Sequence, residues 1–205
     1  MKKLLLITAI LFYGITNAQE KGTWVFGGDL NFRTANNESF NPGGTSINNI
    51  NKANGFTIAL RTGYVFTKNN LEFGLGLRYN TSKINHSYDN SEFKNNTSTI
   101  SPYVRKYFPV NENFSFFLQG EVAFSIVNSE SNNNLTENEG NSIFTGIRPG
   151  FVYFVTKNIA LNSTIGALGY SYFTNERDGM KTSESNDFTF SLASSNIMFG
   201  IAYYL

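Results

Sequence analysis

Asp29, Arg33, Arg61, Glu72, Arg78, Arg105, Glu121 and Arg148 lie in stretches where large apolar residues alternate with small or polar ones, and all fall on the small, polar side. Residues two apart share a face of a strand, so this placement gathers arginines and carboxylates on one surface. Opposite charges on such a surface can hold one another in an enclosed space, where an unpaired ion costs several kcal/mol. They can also line a narrow, cation-repelling pore. Lys83 and Lys106 sit on the apolar side instead, near segment ends where a flexible ammonium reaches polar surroundings.

Other chemistries find little support. Nucleophilic catalysis needs a nucleophile, an adjacent base and an orienting group. The single histidine, His86, is followed by Ser87 with Asp89 nearby, but all three fall in one polar connection and no G-x-S-x-G elbow exists. Gly43 with Gly44, and Gly74 with Gly76, precede neither a helix nor a Lys-Ser/Thr pair, so they read as turn and packing glycines rather than phosphate loops. Glu130, Glu137 and Glu139 could hold Ca²⁺ loosely, yet they lack EF-hand spacing and read as a solvated cluster. The chain has no cysteine, which removes disulfides, zinc clusters and an acylated N-terminal anchor. The expectation is a protein with no catalytic activity, metal or cofactor.

Residues 1–18 have the features of a cleaved signal peptide: Lys2 and Lys3, an apolar stretch from Leu4 to Ile15, and small residues before Gln19. Residues 19–205 then form one domain. Without Lys2 and Lys3 the 16 basic residues fall to 14 against 15 acids, too even a balance for a nucleic-acid partner. Neither the signal stretch nor any later segment supplies the roughly 20 apolar residues of a spanning helix.

Strands are expected near 23–34, 55–66, 71–83, 97–108, 114–127, 143–155, 159–173 and 188–205. In the third, Leu71, Phe73, Leu75, Leu77 and Tyr79 oppose Glu72, Gly74, Gly76, Arg78 and Asn80; the second and fifth alternate in the same way. In the seventh and eighth the apolar phase slips by one residue, which predicts β-bulges near Gly166 to Gly169 and near Ser194-Ser195. Short connections (Thr67 to Asn70, Pro109 to Asn113, Thr156 to Asn158) alternate with long ones rich in Asn, Ser and Glu (Ala35 to Ala53, Ile84 to Asn96, Asn128 to Asn141, Thr174 to Asp187).

Which face points inward follows from volume. The interior of an eight-stranded barrel is just wide enough for side chains to fill, and five or six large apolar residues per strand would overfill it. The small, charged face must look inward and the apolar face outward onto lipid. The fold class is therefore all-β: an eight-stranded antiparallel up-and-down transmembrane β-barrel with short periplasmic turns and four long external loops. Strand polarity then brings Asp29 to Arg61 and groups Arg105, Glu121 and Arg148. The expected lumen network is Asp29, Arg61, Glu72, Arg78, Arg105, Glu121 and Arg148.

The segment Ile100-Ser101-Pro102-Tyr103-Val104-Arg105-Lys106-Tyr107-Phe108, the aromatic-rich fifth strand, and the ending Met198-Phe199-Gly200-Ile201-Ala202-Tyr203-Tyr204-Leu205 resemble the outer-membrane β-barrel domain family of Bacteroidota, relatives in shape of the OmpA and OmpX barrels. The family's last strand, which addresses the barrel-insertion machinery, usually closes on an aromatic residue; this chain has Leu205. The resemblance implies an outer-membrane location and contact with membrane lipid and lipopolysaccharide. The expected protein is a monomer with a structural or surface-interaction role, its four exposed, Asn-, Ser- and Thr-rich loops meeting an external partner; no attached peptidoglycan-binding domain is expected, a departure from full-length OmpA-type proteins. A narrow pore for small solutes and an exported soluble lipocalin-like binding barrel are the alternatives.

Overall fold

In a computed structural model describing residues 22–39, 49–86, 91–132, 138–177, 180–192 and 198–205, period-two alternation has become strand almost throughout. One antiparallel sheet contains β1 (Thr23–Ser39), β2 (Asn49–Phe66), β3 (Leu71–His86), β4 (Ser91–Pro109), β5 (Phe114–Ser131), β6 (Asn138–Phe154), β7 (Ile159–Thr164), β8 (Ala167–Arg177), β9 (Met180–Ser191) and β10 (Met198–Tyr204). β7 with β8 makes one stave of the wall and β9 with β10 another, giving eight staves. The wall closes where β1 meets β10, from Val25 opposite Tyr204 to Leu30 opposite Phe199. The expected signal segment, 1–18, lies outside the described residues.

Facing agrees with the volume argument. Leu60, Leu77, Phe73 and Ile201 are 57%, 53%, 51% and 60% exposed, whereas Glu72, Arg105 and Glu121 are buried. Only hydrocarbon tolerates so continuous an apolar exterior, which sets aside the soluble lipocalin-like alternative. Rings cluster near the short turns, with Trp24 edge-on to Tyr64 at 5.4 Å, Tyr64 to Phe66 at 5.0 Å and Phe66 to Phe73 at 5.8 Å. Such amphipathic rings suit a membrane–water boundary.

The three short turns use local polar chemistry. Asn70 takes the left-handed conformation (φ 49°) behind a 3-10 turn at Thr67–Asn69, a geometry asparagine accepts more readily than most residues. The Asn111 side-chain oxygen accepts from the backbone N–H of Asn113 (3.0 Å) and Phe114 (2.9 Å), and Thr156 Oγ1 from that of Ile159 (3.0 Å). Lys106, on the outward face, donates to the Asn69 carbonyl, and outward Lys83 pairs with Glu92 at 2.7 Å.

The four long connections correct the expectation of open loops. The strand ladders run on well past the expected boundaries: β1–β2 to Ser39 opposite Asn49, β3–β4 to His86 opposite Ser91, β5–β6 to Ser129 opposite Asn138, and β8–β9 to Arg177 opposite Met180. Paired strands satisfy their own backbone groups in water as well as in lipid. No one-sided apolar alternation is needed there, so the usual sequence signal is missing. In β9, residues 181–190 are exposed on both faces, and among the described residues β9 pairs with β8 alone.

The first expected bulge is present. Gly150 opposes Thr164 while Ile147 opposes Leu168, so two residues of β6 face three between β7 and β8. The Ile165 N–H still reaches the Pro149 carbonyl at 3.0 Å. The extra residue flips the phase, turning both Leu161 and Tyr170 outward. Gly166 makes the kink at φ +146°, and a Cβ there would collide with the Ser191 carbonyl oxygen. Gly166→Ala is therefore expected to cost about 1–3 kcal/mol in strain, read as a lower urea midpoint in detergent. Gly28→Ala, whose added carbon would meet nothing closer than 3.6 Å, should leave the midpoint unmoved. Phase also flips between Leu192 and Phe199, but Ser194 and Ser195 lie outside the described residues.

Candidate functional site in the barrel lumen

The lumen is layered. At the short-turn end Val25, Tyr107, Phe117, Val152, Ala160, Ala202 and Tyr204 pack into an apolar plug. Below it a vestibule of about 300 Å³ opens to solvent, walled by residues that include Phe154, Lys157 and Asn158, and ends on Tyr107 and Tyr204. Toward the long hairpins the lining becomes small and polar, with Asn80 Nδ2 donating to Thr57 Oγ1 at 2.7 Å and Thr99 bonded to Ser125 at 2.9 Å.

Between these layers lies the charge network, and Glu72 on β3 is its hub. Fully buried, it accepts the Tyr103 hydroxyl at 2.5 Å on Oε1 and the Tyr107 hydroxyl on Oε2. Arg61 Nη1 lies 3.4 Å from Oε1, and Arg105 Nη1 4.0 Å from Oε2. Tyr107 also reaches Tyr204 at 3.2 Å, which ties the hub to the plug. Glycines make the room: a Cβ at Gly63 would stand 2.7 Å from Glu72 Oε1, and one at Gly74 would enter the Tyr103 ring.

Two arms leave the hub. On one, Arg61 Nη2 donates to Asn162 Oδ1 at 2.9 Å and Asn162 donates to Asp29; the direct Arg61–Asp29 separation is 3.9 Å. On the other, Arg105 donates to Gln119 Oε1 from Nε (3.1 Å) and Nη2 (2.6 Å). Gln119 passes a bond to Glu121 at 2.8 Å, and Arg148 meets Glu121 at 2.7 Å. The Arg105 guanidinium lies 3.8 Å over the Phe117 ring, a cation–π contact at the plug's edge. A cavity of about 40 Å³ remains between the arms, with Arg61, Arg78, Arg105 and Arg148 among its walls.

All seven expected residues are thus in or beside one lumen assembly, with different partners than simple strand adjacency gives. Asp29 meets Arg61 mainly through Asn162, Arg105 meets Glu121 through Gln119, and Arg78 has no carboxylate within 4.0 Å among the described residues. Sequence reasoning did not single out Asn162, Gln119 or the three tyrosines, nor the plug. A signal for the plug existed: Trp24-Val25-Phe26, Phe116-Phe117-Leu118, Phe151-Val152-Tyr153 and Tyr203-Tyr204 are apolar on both faces, all beside the short-turn end. Of the other candidates, His86 ends β3, while Ser87, Asp89, Gly43, Gly44 and Glu137 lie outside the described residues. Glu130 stands 3.8 Å from Lys94.

A model of the outer membrane protein beta-barrel domain matches residues 5–203. No curated protein matches the chain. Among solved structures, a major outer membrane protein from Thermus thermophilus aligns with a TM-score of 0.51 at 12% identity over 91% of this chain and 100% of that one, a likeness of fold. Neisserial surface protein A (TM-score 0.47, 17% identity, 90% and 99% covered) and the attachment invasion locus protein Ail of Yersinia pestis (0.41, 15%, 91% and 100%) also align.

Proposed function

Because this chain belongs to the outer membrane protein beta-barrel domain family, we propose that it is a non-enzymatic integral barrel with a sealed lumen, its long hairpins facing the outside of the cell. The observation that carries this reading is the plug and the hub stacked on it. Val25 and Val152 are fully buried in the plug, and Glu72, also fully buried, accepts the hydroxyl of the plug residue Tyr107. A continuous water path would have to open both an apolar layer and an interlocked ion network, and parting the latter would leave charges unpaired at several kcal/mol each.

The lumen then serves stability, and biological specificity falls to the hairpins. Their hydrated Asn, Ser and Thr faces suit adaptable hydrogen bonding with an external partner. Membrane lipid and lipopolysaccharide contact the outward apolar rows, and the barrel works as a monomer. Export through a cleaved 1–18 segment and delivery to the insertion machinery belong to the same reading.

Single-channel recording in planar bilayers tests the seal. The expected result is no steady open current from the refolded protein. A large, sustained conductance would overturn the sealed-lumen reading in favour of the narrow pore, which would select anions because arginines dominate the constriction.

A further inference from the structure

Among the described residues, the lumen network carries one more positive than negative charge. Arg61, Arg78, Arg105 and Arg148 face Asp29, Glu72 and Glu121, and Arg78 is the cation left without a carboxylate beside it. The three carboxylates are already engaged. Glu72 takes two phenols and Arg61, Glu121 takes Gln119 and Arg148, and Asp29 takes Asn162.

The donor side is left in surplus. Arg61 Nε, Arg78 Nε and Arg105 Nη1 are buried nitrogens with no hydrogen-bond acceptor among the described residues. All three side chains line the same cavity of about 40 Å³; Arg61 and Arg105 are 7% and 2% exposed, and Arg78 is half-buried with its Nε enclosed. A buried donor without an acceptor carries a penalty, and a half-buried cation without a counter-charge adds to it. One small anion would relieve both. The cavity has room for about one to three water-sized bodies, which admits a halide and excludes phosphate esters or carboxylated solutes. Asp29 and Glu121 also line it: Asp29 stands 3.9 Å from Arg61 Nε, beyond hydrogen-bond reach, and Glu121 is bonded to Gln119 and Arg148.

We propose that the lumen binds a single small inorganic anion, a halide, held by Arg61, Arg78 and Arg105. The anion completes the charge balance of the network and is a structural ligand of the folded barrel. The site does not depend on whether the lumen conducts.

The test uses the full barrel in detergent, with the heat-unfolding midpoint followed as chloride or bromide replaces gluconate at constant ionic strength. The midpoint should rise by several degrees and saturate with halide concentration. Arg78→Met, which removes the excess charge, should abolish the halide dependence. Crystals of the unaltered protein soaked in bromide should give one anomalous peak between Arg61, Arg78 and Arg105, a readout that stands even if the variant fails to fold. A midpoint indifferent to the halide, or a bromide-soaked crystal with no peak in the lumen, would overturn the proposal and leave water as the acceptor for these nitrogens.

Discussion

Glu72→Gln is expected to destabilise the barrel by about 3–5 kcal/mol, the loss that follows when one partner of a buried ion pair is taken away. The amide keeps the shape of the carboxylate but removes its charge, leaving Arg61 and Arg105 to share a fully buried position with no central anion. It also replaces an acceptor-only group with one that carries two N–H donors, against the donating hydroxyls of Tyr103 and Tyr107. Urea unfolding in detergent micelles, followed by the mobility difference between heated and unheated samples, reads the effect. Combining Glu72→Gln with Arg105→Met should recover part of the loss, because groups in one network do not contribute additively. A Glu72→Gln barrel as stable as the parent would show that the hub is ornamental and that the plug alone holds this end.

The second large effect lies on the opposite face. Leu77 pairs with Leu60 and Ile100 on the outward side, halfway along the wall. An arginine at mid-membrane depth on a barrel's lipid face costs about 2–4 kcal/mol, falling to about 0–1 near the interfaces. Leu77→Arg should therefore lower the unfolding midpoint strongly, and Val110→Arg, in the short turn after β4, hardly at all. Val110 is 60% exposed against 53% for Leu77, so surface exposure alone would rank them nearly equal. Only a surrounding hydrocarbon layer separates them. Equal, small effects at both positions would mean that water, not lipid, covers Leu77.

These two substitutions also mark where the sequence was legible. The face of every long apolar row could be read from the chain because a strand's period of two is fixed by backbone geometry. The size of a barrel's bore then allows only one face inside. The bulge at Gly166 was legible for the same reason, since a phase slip between Leu161 and Tyr170 has no other local remedy. The hairpins were not legible, because beyond the membrane both faces meet water and composition no longer separates strand from loop. His86, expected in a loop, ends a paired strand.

What the sequence determined by itself is therefore one-dimensional: which residues share a face, where the short turns fall, and that charges and small residues must be enclosed. Partnership was decided by the closed wall. Tyr204 reaches Tyr107 and Asn162 bridges Arg61 to Asp29 only because the last staves return to β1, and the separations of 97, 101 and 133 residues along the chain vanish in three dimensions. Alternation tells a side chain that it points inward. Curvature, tilt and the room left by Gly63 and Gly74 determine what it meets there.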